Sequence, residues 1–167
     1  MNLEQEISGW DGKSSSDIAA IYIQYGGANY FVSEIIELSK RTDLQKGTTW
    51  LLKHHLENSG ELKANECTSL LRLLPELQHW ETRLHMLQCL PCMNINSEET
   101  RIVEMFLRNG IVDNNKFIRA WAYNGFYELA RQYLEYKEET SRIFEMAMRD
   151  EAPSIKARIR NIMKKGF

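Results

Sequence analysis

The chain has 167 residues, of which 43% are hydrophobic, so it can bury a core and is excluded from the disordered class. A formal net charge of −2 at pH 7 excludes an overall cationic field that would attract nucleic acid or an anionic membrane surface. The three cysteines, the lack of an apolar run of about 20 residues and the lack of a leader pattern predict a cytoplasmic protein whose fold depends on packing.

Glycine and proline residues divide the chain into segments whose apolar residues recur with the period of a helix. Nine helices are predicted, near residues 16–25, 29–40, 48–58, 65–74, 78–90, 97–109, 116–132, 137–149 and 153–165. The single strand-like run, AIYIQY, has no evident partner strand. We predict a partly disordered tail over residues 1–15 and one all-α domain over residues 16–167.

The aromatic segment IRAWAYNGFYELAR, residues 118–131, is predicted to lie mostly in the core. On a 3.6-residue period, one stripe of this helix is formed by Ile118, Ala122, Gly125 and Leu129. Two of these residues are small and would let a neighbouring helix approach closely. That role explains a mid-helix glycine, which costs about 0.8–1 kcal/mol relative to alanine.

An internal repeat is the sharpest pattern in the sequence. The segments RIVEMFLRN (101–109) and RIFEMAMRD (142–150) share Arg, Ile, Glu, Met and Arg at matching positions. A looser version recurs near residues 35–38 and 70–73, and alternate helices repeat as well. Helical pairs repeated at this spacing bury their apolar faces by stacking on one another, so the pattern predicts an α-solenoid.

Two stretches carry a resemblance to a known family. In DNNKFIRAWA, Asp113 precedes Arg119 by six residues, and in DEAPSIKARI, Asp150 precedes Lys156 by the same spacing. These stretches resemble the HEAT/armadillo-like repeat family, chiefly HEAT. The resemblance implies an α-α superhelix of about four helical hairpins plus a C-terminal capping helix, with these four residues forming a ladder between successive hairpins.

The resemblance covers roughly residues 16–165 and is strongest after residue 79. Two positions depart from the family pattern. Leu77 stands where an aspartate would precede Arg83, and Gly47 occupies the basic position one hairpin earlier. The first hairpins are therefore expected to be less regular than the later ones.

The second helix of each hairpin is expected to line the concave side of such a solenoid. Acid-first i,i+4 pairs recur on these helices, namely Glu37–Arg41, Glu104–Arg108, Glu138–Arg142 and Glu145–Arg149. One interpretation is a self-compensated solvated face, and the other is a mixed-charge groove for a polypeptide. The candidate partner-binding residues are Arg72, Arg101, Glu104, Arg108, Arg142, Glu145 and Arg149.

The last helix carries a second candidate surface. Lys156, Arg160 and Lys164 follow one another at i+4 without an acidic residue, with Arg158 and Lys165 beside them. Capping of the solenoid end explains such a polar face, because cations complement the C-terminal end of a helix dipole. The alternative is a basic patch that binds an acidic partner or nucleic acid.

No pattern in the sequence predicts catalysis, a metal site or a cofactor. Cys89 and Cys92 have the spacing of a redox or metal pair, but they end a helix, where the dipole opposes a thiolate. A zinc site would also need two further ligands. His54 and His55 lie outside any HExxH context.

We therefore expect a monomeric, non-enzymatic scaffold that binds a protein or peptide and no membrane. The alternative function is a DNA-binding or DNA-repair protein resembling the alkylpurine DNA glycosylases built from HEAT-like repeats. Trp50, Trp80, Trp121 and Asp113 are the residues that such a function would use. A charge-balanced face argues against it, because affinity for nucleic acid depends largely on cations that release counterions.

Overall fold

The computed structural model describes residues 1–167 and contains helices and turns but no strand, so the predicted all-α class is confirmed. The helices are α1 (Leu3–Gly9), α2 (Ser15–Tyr25), α3 (Phe31–Ser39), α4 (Gln45–Glu57), α5 (Ala64–Leu73), α6 (Trp80–Cys89), α7 (Thr100–Ile111), α8 (Lys116–Gln132), α9 (Lys137–Asp150) and α10 (Pro153–Met163). All nine predicted helices are present as α2 to α10, and the strand-like run AIYIQY lies inside α2.

Helix α1 lies within residues 1–15, ahead of the predicted helices. A reciprocal capping box starts it, because the Asn2 side chain accepts from the Gln5 backbone N–H while the Gln5 side chain accepts from that of Asn2. Leu3 and Ile7 are buried. A Cβ atom at Gly47 would lie 2.7 Å from the Ile7 side chain, so a glycine in α4 is what lets α1 approach.

Contacts divide the chain into two compact units, the N-terminal unit (residues 1–93) and the C-terminal unit (residues 94–167). In the N-terminal unit, α4 packs against α2, α3 and α6, and α3 also packs against α5. The core of this unit is largely aliphatic, with Phe31, Ile35, Leu51, Leu70 and Leu71 fully buried. Proline-containing 3₁₀ turns follow α5 and α6 at Leu74–Glu76 and Leu90–Cys92.

In the C-terminal unit, α8 is the central helix and packs against α7, α9 and α10. Its predicted core stripe is confirmed, because Ile118, Ala122, Gly125 and Leu129 are all buried. The expected close approach also occurs. A Cβ atom at Gly110 of α7 would lie 2.7 Å from the Cβ of Ala122. Small residues on both helices therefore set the spacing of the α7–α8 hairpin.

Candidate functional site

The two copies of the sequence repeat lie on α7 and α9 of the C-terminal unit, and they expose equivalent side chains. Arg101, Met105 and Arg108 follow one another on the exposed face of α7. Their counterparts on α9 are Arg142, Met146 and Arg149, which are also exposed. These six residues form what we call the arginine–methionine surface.

The buried positions of the repeat correspond as well. Val103 of α7 and Phe144 of α9 are both fully buried. Shared burial explains why the two segments keep apolar residues at these places, since each supplies one side of the packing with α8. It does not explain the shared methionine, because Met105 is 57% exposed and Met146 is 56% exposed.

Ion pairs connect α7 to α9 along this surface. The Arg108 guanidinium donates to Glu104 at 2.7 Å on its own helix and to Glu139 of α9 at 2.5 Å. The Tyr136 hydroxyl donates to the other oxygen of Glu104 at 3.2 Å. The hydrogen bonds that Arg108 donates to Glu139 and then to Glu104 raise its pKa. Arg108 is therefore held between two helices by two carboxylates.

The four predicted i,i+4 pairs do not all form. Glu104 and Glu138 bond Arg108 and Arg142 as expected. Arg41 instead pairs with Glu4 and Asp43, while Glu37 pairs with Lys40. No salt bridge joins Glu145 to Arg149, and Arg101 has none either. Among the predicted partner-binding residues of the C-terminal unit, two cations, Arg101 and Arg149, and one carboxylate, Glu145, thus remain available to a partner.

A groove of about 420 Å³ borders the arginine–methionine surface. Its apolar lining comes from Ile111 and Val112 at the end of α7 and from Ile143 and Met146 of α9. Val112 is exposed. This side of the groove presents aliphatic and thioether groups to solvent, and such groups gain free energy when a partner covers them.

The polar wall of the groove is a network centred on Glu151, which directly follows α9. The Arg119 guanidinium donates to Glu151 at 2.9 Å, and the Tyr123 hydroxyl donates to the same carboxylate at 3.0 Å. Burial by itself would raise the pKa of Glu151, but the hydrogen bonds from Arg119 and Tyr123 outweigh it and lower that pKa. Burial and the hydrogen bond to Glu151 raise the pKa of Tyr123. Glu151 is therefore held as a carboxylate.

Both basic residues of the predicted ladder contact backbone carbonyls. Arg119 donates to the backbone carbonyl of Asp113 and pairs with Glu151, one residue after Asp150. Lys156 donates to the backbone carbonyl of Arg149. A basic residue still bridges two successive helical segments.

The N-terminal unit contains a matching bridge that the sequence pattern missed. Lys46 and Glu81 lie 2.5 Å apart and join the first turns of α4 and α6.

Several other predicted residues lie elsewhere in the molecule. Arg72 is exposed on α5, in the N-terminal unit, whereas the other six candidate partner-binding residues lie in the C-terminal unit. In the predicted basic patch, Arg160 and Lys164 are exposed, and Lys156 is half-buried against the end of α9. Arg158 lies apart from this patch, stacked on the ring of Trp121.

The remaining chemically notable residues mostly contribute to packing. Cys89 is buried, and burial raises the pKa of its thiol; no group of metal-ligating side chains is present. Trp50 stacks on His54. Trp80 is exposed on the first turn of α6.

Comparison of the chain with protein-family models, with curated proteins and with solved structures gives no match. None of the ten helices is both long enough and apolar enough to span a membrane.

Proposed function

We propose that this protein is a non-enzymatic interaction module that binds a polypeptide through the arginine–methionine surface and the adjoining groove. This proposal is based on the repetition of the same exposed side chains on α7 and α9. Buried positions of a repeat recur for packing, but an arginine, a methionine and a second arginine in solvent do not serve the core. Their recurrence fits a surface that meets one partner with both helices.

Methionine suits such a contact because its side chain is flexible and polarizable and adapts to varied apolar shapes. Covering an exposed methionine contributes about 1.5–3 kcal/mol before the cost of association is subtracted. Met105 and Met146 are both more than half exposed. Met146 lines the groove with the aliphatic residues and provides an anchor for one apolar side chain of the partner, and Met105 offers a second apolar contact on α7.

The charged residues around the anchor indicate which charged side chains the bound segment carries. Arg101 and Arg149 lack salt bridges, so acidic residues of a bound segment can pair with them. Glu145, also without a salt bridge, can accept from a basic residue. The partner is therefore a segment with one large aliphatic or aromatic residue flanked by acidic residues and one basic residue. Complementary charges of this kind fix register and partner choice more than affinity.

We further infer that the hairpins stack as HEAT-like repeats and that the α7 and α9 faces belong to the concave side of a solenoid. The pairing of α7 with α8 and the packing of α8 on α10 support this inference. The Lys46–Glu81 and Arg119–Glu151 bridges support it as well, because each joins two successive helical segments within its own unit.

Nucleic acid is a weaker candidate for this surface. Two of the four arginines in it, Arg108 and Arg142, are already neutralised by carboxylates. Binding that depends on counterion release needs cations that are free to contact phosphates. We therefore do not assign the alternative DNA-repair function.

The test is selection of peptides from a random display library, followed by affinity measurement of a selected peptide by fluorescence anisotropy. The double variant Met105→Glu/Met146→Glu should weaken binding by at least about 10-fold, equivalent to 1.4 kcal/mol or more. Leu134→Glu is the matched control, since Leu134 is an exposed apolar residue of the same unit outside the groove.

Selected peptides that lack an apolar anchor flanked by charges, or equal affinity for the double variant and the wild type, would refute the proposal. Circular dichroism of each variant establishes that the helices are retained. An unchanged spectrum with lost binding assigns the effect to the surface.

A further inference from the structure

A second cavity lies in the C-terminal unit, along the face where α10 packs on α8, and shares no lining residue with the groove. Its volume is about 350 Å³. Five polar or charged side chains line it, namely Asn124, Ser154, Arg158, Asn161 and Lys165. Ser154, Arg158 and Asn161 come from one face of α10, Lys165 lies in the turn that follows this helix, and Asn124 comes from α8.

Arg158 is the central cation of this cavity. Its guanidinium carbon lies 4.2 Å from the centroid of the Trp121 ring, a cation–π contact that fixes the plane of the guanidinium. Partial burial lowers the pKa of Arg158. No carboxylate lines the cavity, and Arg158 forms no salt bridge. The protein therefore holds a half-buried positive charge in place without neutralising it.

Asn124 adds an unpaired side-chain amide to the cavity. It is only 9% exposed, and its side-chain amide has no hydrogen-bond partner within the protein. None of its amide atoms is completely shielded from solvent, so the amide is free to bond water or a ligand in the cavity. The Ser154 hydroxyl and the Asn161 amide also lack protein partners. Three groups that can donate hydrogen bonds thus adjoin the unpaired cation.

The positive charge of the cavity indicates the chemical class of its ligand. Arg158 and Lys165 give the cavity two positive charges and no negative charge. A carboxylate would neutralise one of them, whereas a phosphate monoester carries about −1.5 to −2 charges at pH 7 and three acceptor oxygens. A guanidinium binds phosphate oxygens in a bidentate manner, and hydroxyl and amide groups satisfy the remaining oxygens. The cavity is also larger than a bare phosphate ion, which leaves room for the group that carries it.

The geometry points to a phosphate-monoester binding site between α8 and α10, with Arg158 as the primary ligand and Asn124, Ser154, Asn161 and Lys165 as supporting ligands. Ser154, Arg158 and Asn161 occupy i, i+4 and i+7 positions, which lie on one side of a helix. The site is separate from the arginine–methionine surface and does not depend on that surface binding a polypeptide.

Isothermal titration calorimetry at physiological salt tests the site with three probes: inorganic phosphate, N-acetyl-phosphoserine amide and adenosine monophosphate. We expect saturable binding in the range of about 0.1–5 mM for at least one probe. Tighter binding of phosphoserine indicates a phosphorylated side chain as the source, and tighter binding of the mononucleotide indicates a nucleotide. Equal binding of all three indicates that the phosphate alone is recognised.

Three variants and one control separate the site from general electrostatics and from misfolding. Arg158→Gln should weaken binding at least about 10-fold, and Asn124→Ala about 3- to 10-fold, because each removes ligands that phosphate oxygens need. Arg158→Lys keeps the charge but loses the bidentate fork, so an intermediate loss is expected. Arg160→Gln removes an exposed cation of the same helix outside the cavity and should leave binding unchanged.

The site is refuted if none of the three probes binds at about 10 mM, a concentration far above the expected dissociation constants. It is equally refuted if Arg160→Gln weakens binding as much as Arg158→Gln, since that result would mean diffuse attraction to a basic helix. Arg158→Lys and Asn124→Ala keep the test valid should Arg158→Gln fail to fold.

Discussion

The two units of this protein differ in whether their chemically distinctive side chains are buried or exposed. In the N-terminal unit, His85 lies 3.0 Å from the Thr49 hydroxyl and His55 lies 3.1 Å from the Tyr22 hydroxyl, so both imidazoles bond protein groups in partly buried positions. The C-terminal unit has no histidine and turns arginines and methionines toward solvent. Residue type alone therefore predicts little: His55 and His85 serve packing, whereas Met105 and Met146 belong to the candidate binding surface.

The Lys46–Glu81 bridge of the N-terminal unit and the Arg119–Glu151 bridge of the C-terminal unit differ in burial. The side chains of Arg119 and Glu151 are 22% and 11% exposed, whereas those of Lys46 and Glu81 are 33% and 31% exposed. Arg119 also donates to two backbone carbonyls, and Glu151 accepts from Tyr123. The bridge in the C-terminal unit is thus part of a network that leaves few groups unsatisfied.

The largest expected effect tests how tightly the core of the C-terminal unit is packed, in contrast to its exposed arginine–methionine surface. Phe126 is fully buried at the centre of α8. Phe126→Ala should lower the free energy of unfolding by about 3–5 kcal/mol, through lost apolar burial and the cavity left behind. Urea denaturation measures the change, with Leu134→Ala as the exposed control. A loss below about 1 kcal/mol would mean that α8 is loosely packed.

Acid pH should distinguish the two units. Burial, with smaller contributions from Lys53 and Lys46, lowers the pKa of His85 to about 4. In the unfolded chain its pKa is about 6.5, so between these values the unfolded state binds a proton that the folded state does not. Stability therefore falls as pH drops from 6.5 towards 4, by about 2 kcal/mol between pH 7 and pH 5.

Two measurements check this effect. The first is the stability of His85→Asn, whose side chain does not titrate, at pH 7 and pH 5. The second is hydrogen exchange at the same two pH values. The variant should lose less stability than the wild type between pH 7 and pH 5. Burial also lowers the pKa of His55, so the stability of the variant still falls to some extent as the pH drops. Exchange protection should fall in residues 1–93 and persist in residues 94–167. Equal loss of protection in both units would contradict this assignment.

A smaller effect compares the two bridges directly. Arg119→Met should cost about 1–3 kcal/mol, because it leaves the mostly buried Glu151 without its strongest partner. Lys46→Met should cost less than about 1 kcal/mol, since its pair is better solvated. Thermal or urea denaturation of both variants at pH 7 provides the comparison. Equal costs would show that burial does not control the strength of these bridges.

The helices were well predicted because their signals are local. Apolar periodicity and glycine or proline punctuation place all nine of α2 to α10 within a few residues. Helix α1 was missed because MNLEQEISG is short and polar. Its stability comes from the capping box and from burial of Leu3 and Ile7, and the second of these requires the fold to be known.

The candidate site was only partly predictable. Alternating charge identified Arg101, Arg108, Arg142 and Arg149 as surface residues, and all four are exposed. The repeat also contains Met105 and Met146, but methionine is more often buried than exposed, so the pattern alone does not mark either as a surface residue. The cavity at Arg158 could not be predicted either, because it depends on Trp121 and Asn124, more than 30 residues earlier in the sequence.

Methyl NMR of the protein labelled at its seven methionines shows directly whether the arginine–methionine surface binds a polypeptide. On titration with a peptide selected by display, we expect the methyl signals of Met105 and Met146 to shift together and to saturate at the same peptide concentration. The signals of buried Met86 and of Met163 on α10 should stay in place. Shifts confined to other methionines, with Met105 and Met146 unmoved, would contradict the claim that this surface binds the polypeptide.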